Sequence, residues 1–279
     1  MTSLAIASRS FSKNPRLREK VLEKYPDAKF NDDGKILSGG DLIDFLHGSL
    51  AAITALEKID REILSNLPDL KIIGKYGVGL DMLDLQAMNE YNVKLGWEGG
   101  VNKRSVSELV LSSSISLLHR AVAANQQVRS GKWYQEIGRQ LTNKVFGIIG
   151  CGHIGKDLVK LLAPFNCRIL AHDILTFHDF YKKNNIEAVG LEDLLTNSDI
   201  ISLHLPLDSS TNRILDSKKL SLIKRNAILI NYARGGLIDE ESLRKIIVEK
   251  KIGGVALDVL EVEPPLGDNF SNLENVIVT

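Results

Sequence analysis

Cysteine is scarce in this sequence, and an excess of charge of one sign is missing. The 279 residues include only two cysteines, Cys151 and Cys167, so no disulfide framework is indicated and a reducing compartment fits. The 35 basic and 35 acidic residues give a formal net charge of zero. This balance argues against nucleic acid or a membrane surface as the main partner.

Long apolar runs are missing as well. No stretch approaches the roughly 20 apolar residues that a membrane-spanning helix needs, and residues 1–20 lack the apolar core of a signal peptide. We therefore expect a cytoplasmic protein whose main partner is a small molecule. The sequence has the 44% hydrophobic and 25% charged composition of an ordinary globular protein, at a length that suits about two domains.

Short apolar runs alternate with helical patterns in the first third of the chain. We predict strands over residues 4–7, 51–56 and 70–76, and helices over residues 15–25, 60–66 and 81–91. Such alternation predicts a parallel sheet with helices on both faces. After the third of these strands, Gly77 and Gly79 bracket a turn whose backbone N–H groups could bind an anion, although a plain strand-to-helix turn explains it equally well.

A glycine-rich crossing at residues 96–100 follows and indicates a domain boundary. Asn102 then has the position of a cap for a long helix. Helical spacing predicts one continuous apolar face on this helix, formed by Leu111, Ile115, Leu118 and Val122. We expect the helix to lie against the second domain or against a second subunit.

The stretch from Lys144 to Asp173 has the pattern strand, glycine turn, helix, strand, acid. Its glycines are Gly150, Gly152 and Gly155, and Asp173 ends the second apolar run. G-x-G-x-x-G between a strand and a helix, with an acid after the next strand, is typical of dinucleotide binding. A parallel-sheet unit with a glycine-rich turn and no ligand is the alternative.

Each part of this motif has a physical role. Gly150 allows the tight turn, Gly152 lets the backbone approach a pyrophosphate, and Gly155 lets the helix pack closely on the strand. The first turn of the helix offers free N–H groups to the phosphates. Asp173 would accept hydrogen bonds from the adenosine ribose hydroxyls. No arginine follows in residues 174–176 for a 2′-phosphate, so NAD is favoured over NADP.

From residue 144 onward the pattern predicts a complete doubly wound domain. We predict six strands, over residues 145–149, 168–172, 200–205, 227–232, 254–259 and 276–278. Ligands of such sheets bind beyond the carboxyl ends of the strands. The residues at these ends are therefore candidates for the site, and they are His204, Pro206, Thr211, Ala233, Arg234, Asp258 and Glu263.

Arg234 is the strongest candidate among them. A guanidinium can hold a carboxylate or an α-keto acid through paired hydrogen bonds, and Gly235 and Gly236 beside it suggest backbone held close to a ligand. A surface arginine that caps a loop is the alternative. Glu263, considered alone, is typical of an exposed acid before a proline turn.

Several ordered motifs resemble one family. They are KYGVGLDMLDL, NKRSVSELV, VFGIIGCGHIG, SLHLPLDSSTNRIL, LINYARGGLIDEESL and GGVALDVLEVEPP. In order and spacing they resemble the D-isomer-specific 2-hydroxyacid dehydrogenases, the family of phosphoglycerate, glycerate and D-lactate dehydrogenases. The resemblance extends from about residue 70 to residue 279. It implies an α/β fold in which residues 1–99 form a flavodoxin-like substrate domain and residues 100–279 a Rossmann NAD-binding domain, both with parallel sheets flanked by helices.

The resemblance also implies roles for single residues. Backbone N–H groups of Gly77, Val78 and Gly79 would bind the substrate carboxylate, and Arg234 would hold and polarise the substrate carbonyl. Glu263 would be the acid partner of the catalytic histidine. The implied NAD-binding residues are Gly150, Gly152, His153, Ile154, Gly155, Asp173, His204, Pro206, Thr211, Ala233, Arg234 and Asp258, the last of these at the nicotinamide carboxamide. We expect a 2-hydroxy or 2-keto acid as substrate, a homodimer formed through the NAD domain, and no metal.

The catalytic histidine of the family has no match here. In the family it lies in a Pro-His step after the strand matched by residues 276–279, and the chain then returns to complete the substrate domain. None of the six histidines matches that step; they are His47, His119, His153, His172, His178 and His204. We therefore expect a C-terminally truncated form that leaves apolar surface exposed on the substrate domain. An NAD-binding protein without turnover is the alternative to an active oxidoreductase, and a methyltransferase is a weak third hypothesis.

Overall fold

The computed structural model describes residues 3–264, 270 and 272–279. The chain divides into two compact units, Met1–Asn102 and Lys103–Thr279. Each unit has its own parallel sheet, with one cluster of buried apolar side chains on each face. The predicted α/β class is confirmed. In the described part of the chain, no helix has both the length and the apolar character that a bilayer crossing requires.

A five-stranded sheet organises the first unit. Its strands are β1 (Leu4–Ile6), β2 (Lys29–Phe30), β3 (Ala51–Thr54), β4 (Ile72–Lys75) and β5 (Lys94–Gly96). They lie in the order β2-β1-β3-β4-β5, and every neighbouring pair is parallel. This is the predicted flavodoxin-like order.

Among the described residues of the first unit, five helices cover the two faces of this sheet. They are α1 (Arg9–Ser12), α2 (Pro15–Leu22), α3 (Gly39–Leu46), α4 (Arg61–Ser65) and α5 (Leu85–Glu90). A polar side chain caps four of them, because a backbone N–H of the first turn donates to the oxygen of Ser8, Asn14, Asp60 or Asp84. Helices α3, α4 and α5 bury apolar side chains on one face, and α1 and α2 on the other.

A seven-stranded sheet organises the second unit. Its strands are β6 (Val145–Ile149), β7 (Arg168–His172), β8 (Ile186–Ala188), β9 (Ile200–Leu203), β10 (Ile228–Asn231), β11 (Gly254–Leu257) and β12 (Val276–Val278). All are parallel, in the order β12-β11-β10-β9-β6-β7-β8. The prediction of six strands is wrong, because it missed β8. That strand has only three residues, and Glu187 interrupts the apolar pattern that would have indicated it.

The strand order of this sheet reverses at β6. One neighbour of β6 is β7 and the other is β9, so the chain builds the sheet outward in both directions from this strand. Such a reversal opens a crevice at the carboxyl ends of the strands. The glycine turn follows β6 directly and therefore lies at this point.

In the described part of the second unit, seven helices flank the sheet. They are α6 (Lys103–Leu118), α7 (Ala121–Arg129), α8 (His153–Leu162), α9 (His178–Lys183), α10 (Leu191–Asn197), α11 (Ser217–Leu220) and α12 (Glu240–Val248), with short 3₁₀ turns at Ala163–Phe165 and Gly235–Leu237. Because helices cover both faces, every residue of β9, β10 and β11 is buried. This burial explains the continuous apolar runs of these strands in the sequence.

The predicted apolar face of the long helix is wrong in part. Helix α6 ends at Leu118, and Arg120 adopts a left-handed conformation with φ of 53° before α7 begins. Val122 therefore lies on the next helix, where it is exposed. The side chains that α6 buries are those of Val110, Leu117, Leu118 and three serines. No glycine or proline marks the break between the helices, so the spacing alone could not reveal it.

Gly147, in the middle of β6, gives a test of the packing between β6 and α10. A Cβ at this position would lie 2.3 Å from Ser198 Oγ and 2.6 Å from Leu194 Cδ2. We expect Gly147→Ala to destabilise the protein by roughly 1–3 kcal/mol, the usual cost of overpacking a core. The control is Gly40→Ala on α3, where a Cβ meets no described atom within 4 Å. Thermal unfolding of the two variants should show a lower midpoint for Gly147→Ala only, and equal midpoints would contradict this packing.

Candidate functional site

The glycine turn after β6 has the geometry that a dinucleotide requires. Gly150 has φ of 93°, and a Cβ there would lie 2.7 Å from the carbonyl oxygen of His204. A Cβ on Gly155 would lie 2.5 Å from the carbonyl oxygen of Gly150. At Gly152, by contrast, a Cβ meets no described atom within 4 Å. Gly150 and Gly155 thus allow close contact between the backbone segments of this turn, while Gly152 leaves open space beside its backbone.

The first turn of α8 lies directly beside this open space. Gly152 occupies the cap position, and among the described residues no side chain accepts a hydrogen bond from the N–H groups at this end of the helix. His153 is exposed and Ile154 is half-buried. Backbone N–H groups of His153, Ile154 and Gly155 are therefore available to an anion, since the first four N–H groups of a helix have no partner inside it. The residues present fit the pyrophosphate of a dinucleotide.

Asp173 lies at the end of β7, beside the same turn. Its Oδ2 accepts a hydrogen bond from the backbone N–H of Cys151 at 2.7 Å, and its Oδ1 accepts one from Leu175 at 2.8 Å. These two bonds fix the carboxylate next to the glycine turn. Ile174 and Leu175 after it are exposed apolar residues. The position suits the ribose of an adenosine, and neither of the next two side chains carries a charge for a 2′-phosphate.

His204 follows β9 and is half-buried. Its backbone N–H donates to Ile149 at 2.7 Å, and its Nε2 lies 3.0 Å from Ser202 Oγ. Nδ1 is buried and has no hydrogen-bond partner in the described residues. Burial lowers the pKa of His204 to about 4. The imidazole is therefore neutral near pH 7 and serves neither as a cation nor as a proton donor of ordinary strength.

The loop after β9 closes on itself. Thr211 Oγ1 donates to the carbonyl oxygen of Pro206 at 2.7 Å and accepts from the backbone N–H of Asp208 at 2.8 Å. This closure places Pro206 and Thr211 at the carboxyl end of the sheet, near His204 in sequence. Both of these hydrogen bonds of the Thr211 hydroxyl are internal to the loop. The Thr211 side chain therefore stabilises the conformation of this loop.

Arg234 is positioned by a side chain that the sequence did not single out. Asn231, the last residue of β10, is buried; its Nδ2 donates to the carbonyl oxygen of Arg234 at 2.8 Å, and its Oδ1 accepts from Ala233 at 3.2 Å. The Arg234 guanidinium also donates to the carbonyl oxygen of Ala233 at 2.7 Å. A Cβ on Gly235 would lie 2.0 Å from the backbone of Leu260. In the sequence, Asn231 could have been recognised as a candidate because it is a polar residue at the end of an otherwise apolar strand.

Asp258 and Glu263 follow β11. The Asp258 backbone N–H donates to Asn231 at 3.2 Å, and its Oδ1 accepts from the Thr279 hydroxyl at 2.8 Å. Glu263 Oε1 accepts from the backbone N–H of Leu260 at 2.9 Å. Burial raises the pKa of the neighbouring Glu240, and the charge of Glu263 adds to this effect. Arg234 and the acidic residues Asp258 and Glu263 thus all follow strands at the carboxyl end of the second sheet.

The Gly77 to Gly79 turn belongs to the first unit, after β4. Gly77 has φ of 123°, and the Val78 carbonyl oxygen accepts from Trp97 Nε1 at 3.1 Å. The predicted helix start at residue 81 is too early, because α5 begins at Leu85. The turn therefore does not lie at a helix N-terminus. Any anion bound there would rely on the backbone N–H groups of the turn alone, which Trp97 holds in place.

Comparison with known proteins identifies the family. Residues 111–279 match the model of the D-isomer specific 2-hydroxyacid dehydrogenase, NAD binding domain. The chain is 33% identical over 269 residues to a glyoxylate reductase of Thermococcus litoralis, covering 93% of this chain and 81% of that protein. The chain belongs to the D-isomer-specific 2-hydroxyacid dehydrogenase family.

Two further relatives agree with this membership. A hydroxypyruvate reductase of Thermotoga maritima is 34% identical over 232 residues, which cover 81% of this chain and 75% of that protein. The crystal structure of a D-isomer specific 2-hydroxyacid dehydrogenase of Polaromonas sp. JS6 66 matches with a TM-score of 0.90 and 25% identity, covering all of this chain and 88% of that one. The predicted family, the Rossmann fold and NAD as the cofactor are confirmed. By family, this 2-hydroxyacid dehydrogenase is an NAD-dependent oxidoreductase.

Lowering the pH should destabilise the protein through His204. Its pKa is about 4 in the folded chain, compared with 6.5 for an ordinary histidine, so the unfolded chain takes up the proton first. Stability is then lost as the pH falls from 6.5 toward 4, by about 3 kcal/mol for a shift of this size. Urea unfolding at pH 7 and pH 4.5 should show a smaller loss for His204→Asn than for the parent chain. The exposed His178→Asn variant should behave like the parent, and an equal loss in all three proteins would contradict the neutral state of His204.

Proposed function

We propose that this dehydrogenase interconverts a small D-2-hydroxy acid and its 2-keto acid, with Met1–Asn102 as the substrate domain and Lys103–Thr279 as the NAD domain. The observation that carries the proposal is the placement of Arg234. Asn231 holds it at the carboxyl end of β10, in the same sheet whose central strand leads into the glycine turn. The named relatives reduce glyoxylate and hydroxypyruvate, which are small 2-keto acids.

The geometry of the second unit supports the proposed NAD-binding roles. Gly152 and the N–H groups of His153, Ile154 and Gly155 would hold the pyrophosphate of NAD, and Asp173 would accept hydrogen bonds from the adenosine ribose. Bound NAD supplies the hydride acceptor, or as NADH the hydride donor, for the C2 atom of the substrate. His204, Pro206, Thr211 and Ala233, which follow β9 and β10, would lie around the cofactor, and Asp258 would contact the nicotinamide carboxamide.

The substrate roles divide between anion binding and charge stabilisation. Backbone N–H groups of Gly77, Val78 and Gly79 bind the substrate carboxylate. Arg234 donates hydrogen bonds to the carbonyl oxygen on which negative charge develops during hydride transfer, and a fixed cation at that atom stabilises the transition state. Glu263 orients the proton-donating group. That group is a histidine in the family, but none of the six histidines has been matched to the role.

An NAD-binding protein without turnover is the second candidate. The observation in its favour is the state of His204, the histidine that follows β9 at the carboxyl end of the sheet. With a pKa of about 4 it carries no proton to donate near neutral pH. A chain that binds NADH and reduces neither glyoxylate nor hydroxypyruvate would support this second candidate.

Arg234→Ala tests the catalytic proposal. We expect it to lower kcat/KM for the NADH-dependent reduction of glyoxylate or hydroxypyruvate by about 10² to 10³-fold, since it removes the group that stabilises the developing charge. NADH should still bind, as measured by fluorescence titration. The control is Arg168→Ala, because Arg168 lies at the amino end of β7 and pairs with Glu187. Near-normal turnover by Arg234→Ala would remove this residue from the site.

The proposal includes a cytoplasmic homodimer formed through the NAD domain. An exposed apolar stretch after α7 supports it, since Trp133 and Ile137 are each 87% exposed and Tyr134 lies between them. A monomer rarely exposes contiguous apolar side chains of this size. This stretch would then be covered by the second copy of the chain.

Light scattering tests the dimer. The parent chain should have twice the 30.8 kDa mass of the monomer. Ile137→Asp should give a monomer, because a buried carboxylate at an apolar interface costs several kcal/mol. Ile36→Asp is the control, since Ile36 is 75% exposed in the first unit. A monomeric parent chain, or a dimeric Ile137→Asp variant, would contradict this interface.

A further inference from the structure

The start of helix α6 is bonded to the start of helix α8, the helix that follows the glycine turn. The Arg104 guanidinium donates to Asp157 Oδ1 at 3.0 Å, and the Ser107 hydroxyl donates to the carbonyl oxygen of Ile154 at 3.3 Å. Arg104 and Ser107 both belong to the sequence motif NKRSVSELV. The function proposed above gives neither of them a role.

Asp157 is an uncommon residue for the inner face of a helix. Its side chain is only 7% exposed, and the next two residues, Leu158 and Val159, belong to an apolar cluster. Within the described part of the chain, Asp157 Oδ2 is buried without a hydrogen-bond partner, and the cation that pairs with the carboxylate is Arg104. A buried carboxylate is costly unless a cation balances it. Arg104 therefore supplies the charge that this site requires.

The Asp157 carboxylate also lies close to the proposed pyrophosphate site. Asp157 follows His153, the first residue of α8, by four positions, which is about 6 Å along the helix axis. The positive end of the helix dipole attracts anions to the first turn, and a negative charge one turn further on opposes this attraction. Without Arg104, the carboxylate would therefore repel the pyrophosphate that the first turn has to bind.

The second contact fixes the turn itself. Ser107 is fully buried, and its hydroxyl reaches across to the carbonyl oxygen of Ile154, a residue whose N–H faces the proposed pyrophosphate site. Ser114, equally buried on the same helix, donates instead to the carbonyl oxygen of Val110 at 2.7 Å, within α6. That local bond is the usual one for a serine inside a helix. The bond of Ser107 thus ties α6 to the first turn of α8.

We propose that Arg104 is a positioning residue for the cofactor, which balances the buried charge of Asp157 and thereby preserves the affinity of the first turn of α8 for the pyrophosphate of NAD. The inference rests on the proposed function, in which His153, Ile154 and Gly155 hold that group. Arg104 acts through Asp157 and needs no contact of its own with the cofactor.

Removing the two charges separately and together tests this role. Arg104→Ala leaves the carboxylate unbalanced and should weaken the binding of NADH and of ADP-ribose by about 5- to 10-fold, the effect of one uncompensated charge several ångströms away. Asp157→Asn should bind both ligands at least as tightly as the parent. The double variant should bind like Asp157→Asn, because no charge is then left to balance. Arg104→Lys keeps the charge and should retain most of the affinity.

Adenosine separates charge balance from a general distortion of the fold. It lacks the pyrophosphate, so Arg104→Ala should bind it like the parent, as measured by ligand-observed NMR. The control variant is Arg168→Ala, which breaks the exposed ion pair with Glu187 and should bind all three ligands like the parent. Equal weakening of adenosine and ADP-ribose by Arg104→Ala would overturn the inference. So would a loss of ADP-ribose affinity in Asp157→Asn, or a double variant as weak as Arg104→Ala.

The parent chain separates this inference from the function on which it rests. If the parent binds ADP-ribose no more tightly than adenosine, the first turn of α8 does not hold a pyrophosphate. The proposed cofactor site then fails, and the role of Arg104 fails with it. If the parent prefers ADP-ribose but Arg104→Ala binds ADP-ribose normally, the inference alone is overturned.

Discussion

Close contact between backbone segments holds the candidate site together. A side chain at Gly150 would collide with the backbone at His204, one at Gly155 with Gly150, and one at Gly235 with Leu260. These three contacts join the ends of β6 and β9, the start of α8, and the segments after β10 and β11. Each segment is thereby fixed relative to its neighbour by van der Waals contact between main chains. The candidate functional side chains belong to these segments, so the contacts between main chains determine where they lie.

Buried polar groups supply the second constraint, at the points where the main chain leaves the sheet. Asn231 makes two hydrogen bonds to the loop that carries Arg234, and its own backbone carbonyl accepts from Asp258. One amide therefore links the loops after β10 and β11. A buried amide that lost these partners would carry a large desolvation cost, so the loop has little freedom to adopt another shape. Asn231 thereby fixes the loop that carries Arg234.

Much of this fold could be predicted because each long strand and its neighbouring helix left a periodic pattern. The strands at Val145–Ile149, Arg168–His172 and Val276–Val278 have the bounds that the pattern predicted. Strand β8 was missed because three residues with a central glutamate have no periodicity. The break after Leu118 was missed because Arg120 supplies the left-handed turn where glycine is usual. Tertiary packing determines both the short strand β8 and the break after Leu118, and the local sequence contains no pattern that predicts either.

The same distinction applies to the candidate site. Some of its residues could be proposed from the sequence, and others became evident only in the structure. The glycines and Asp173 could be proposed from the sequence, because their spacing along the chain is typical of dinucleotide binding. Asn231 and Trp97 could not, because they hydrogen-bond to residues that the fold, and not the sequence pattern, brings near. Glu263 follows β11, as the motif predicted, and within the described residues its carboxylate accepts a hydrogen bond from the backbone N–H of Leu260. Its proposed partner stays a prediction.

The setting of Cys151 has a consequence for the chemical durability of the enzyme. This thiol lies inside the glycine turn, where alkylation or oxidation would push the backbone away from the cofactor. It is fully buried, and burial raises its pKa to about 11. Only a thiolate reacts readily with electrophiles and peroxides, so the protonated sulfur is inert at neutral pH. The turn therefore keeps a cysteine at its centre without making cofactor binding sensitive to oxidants.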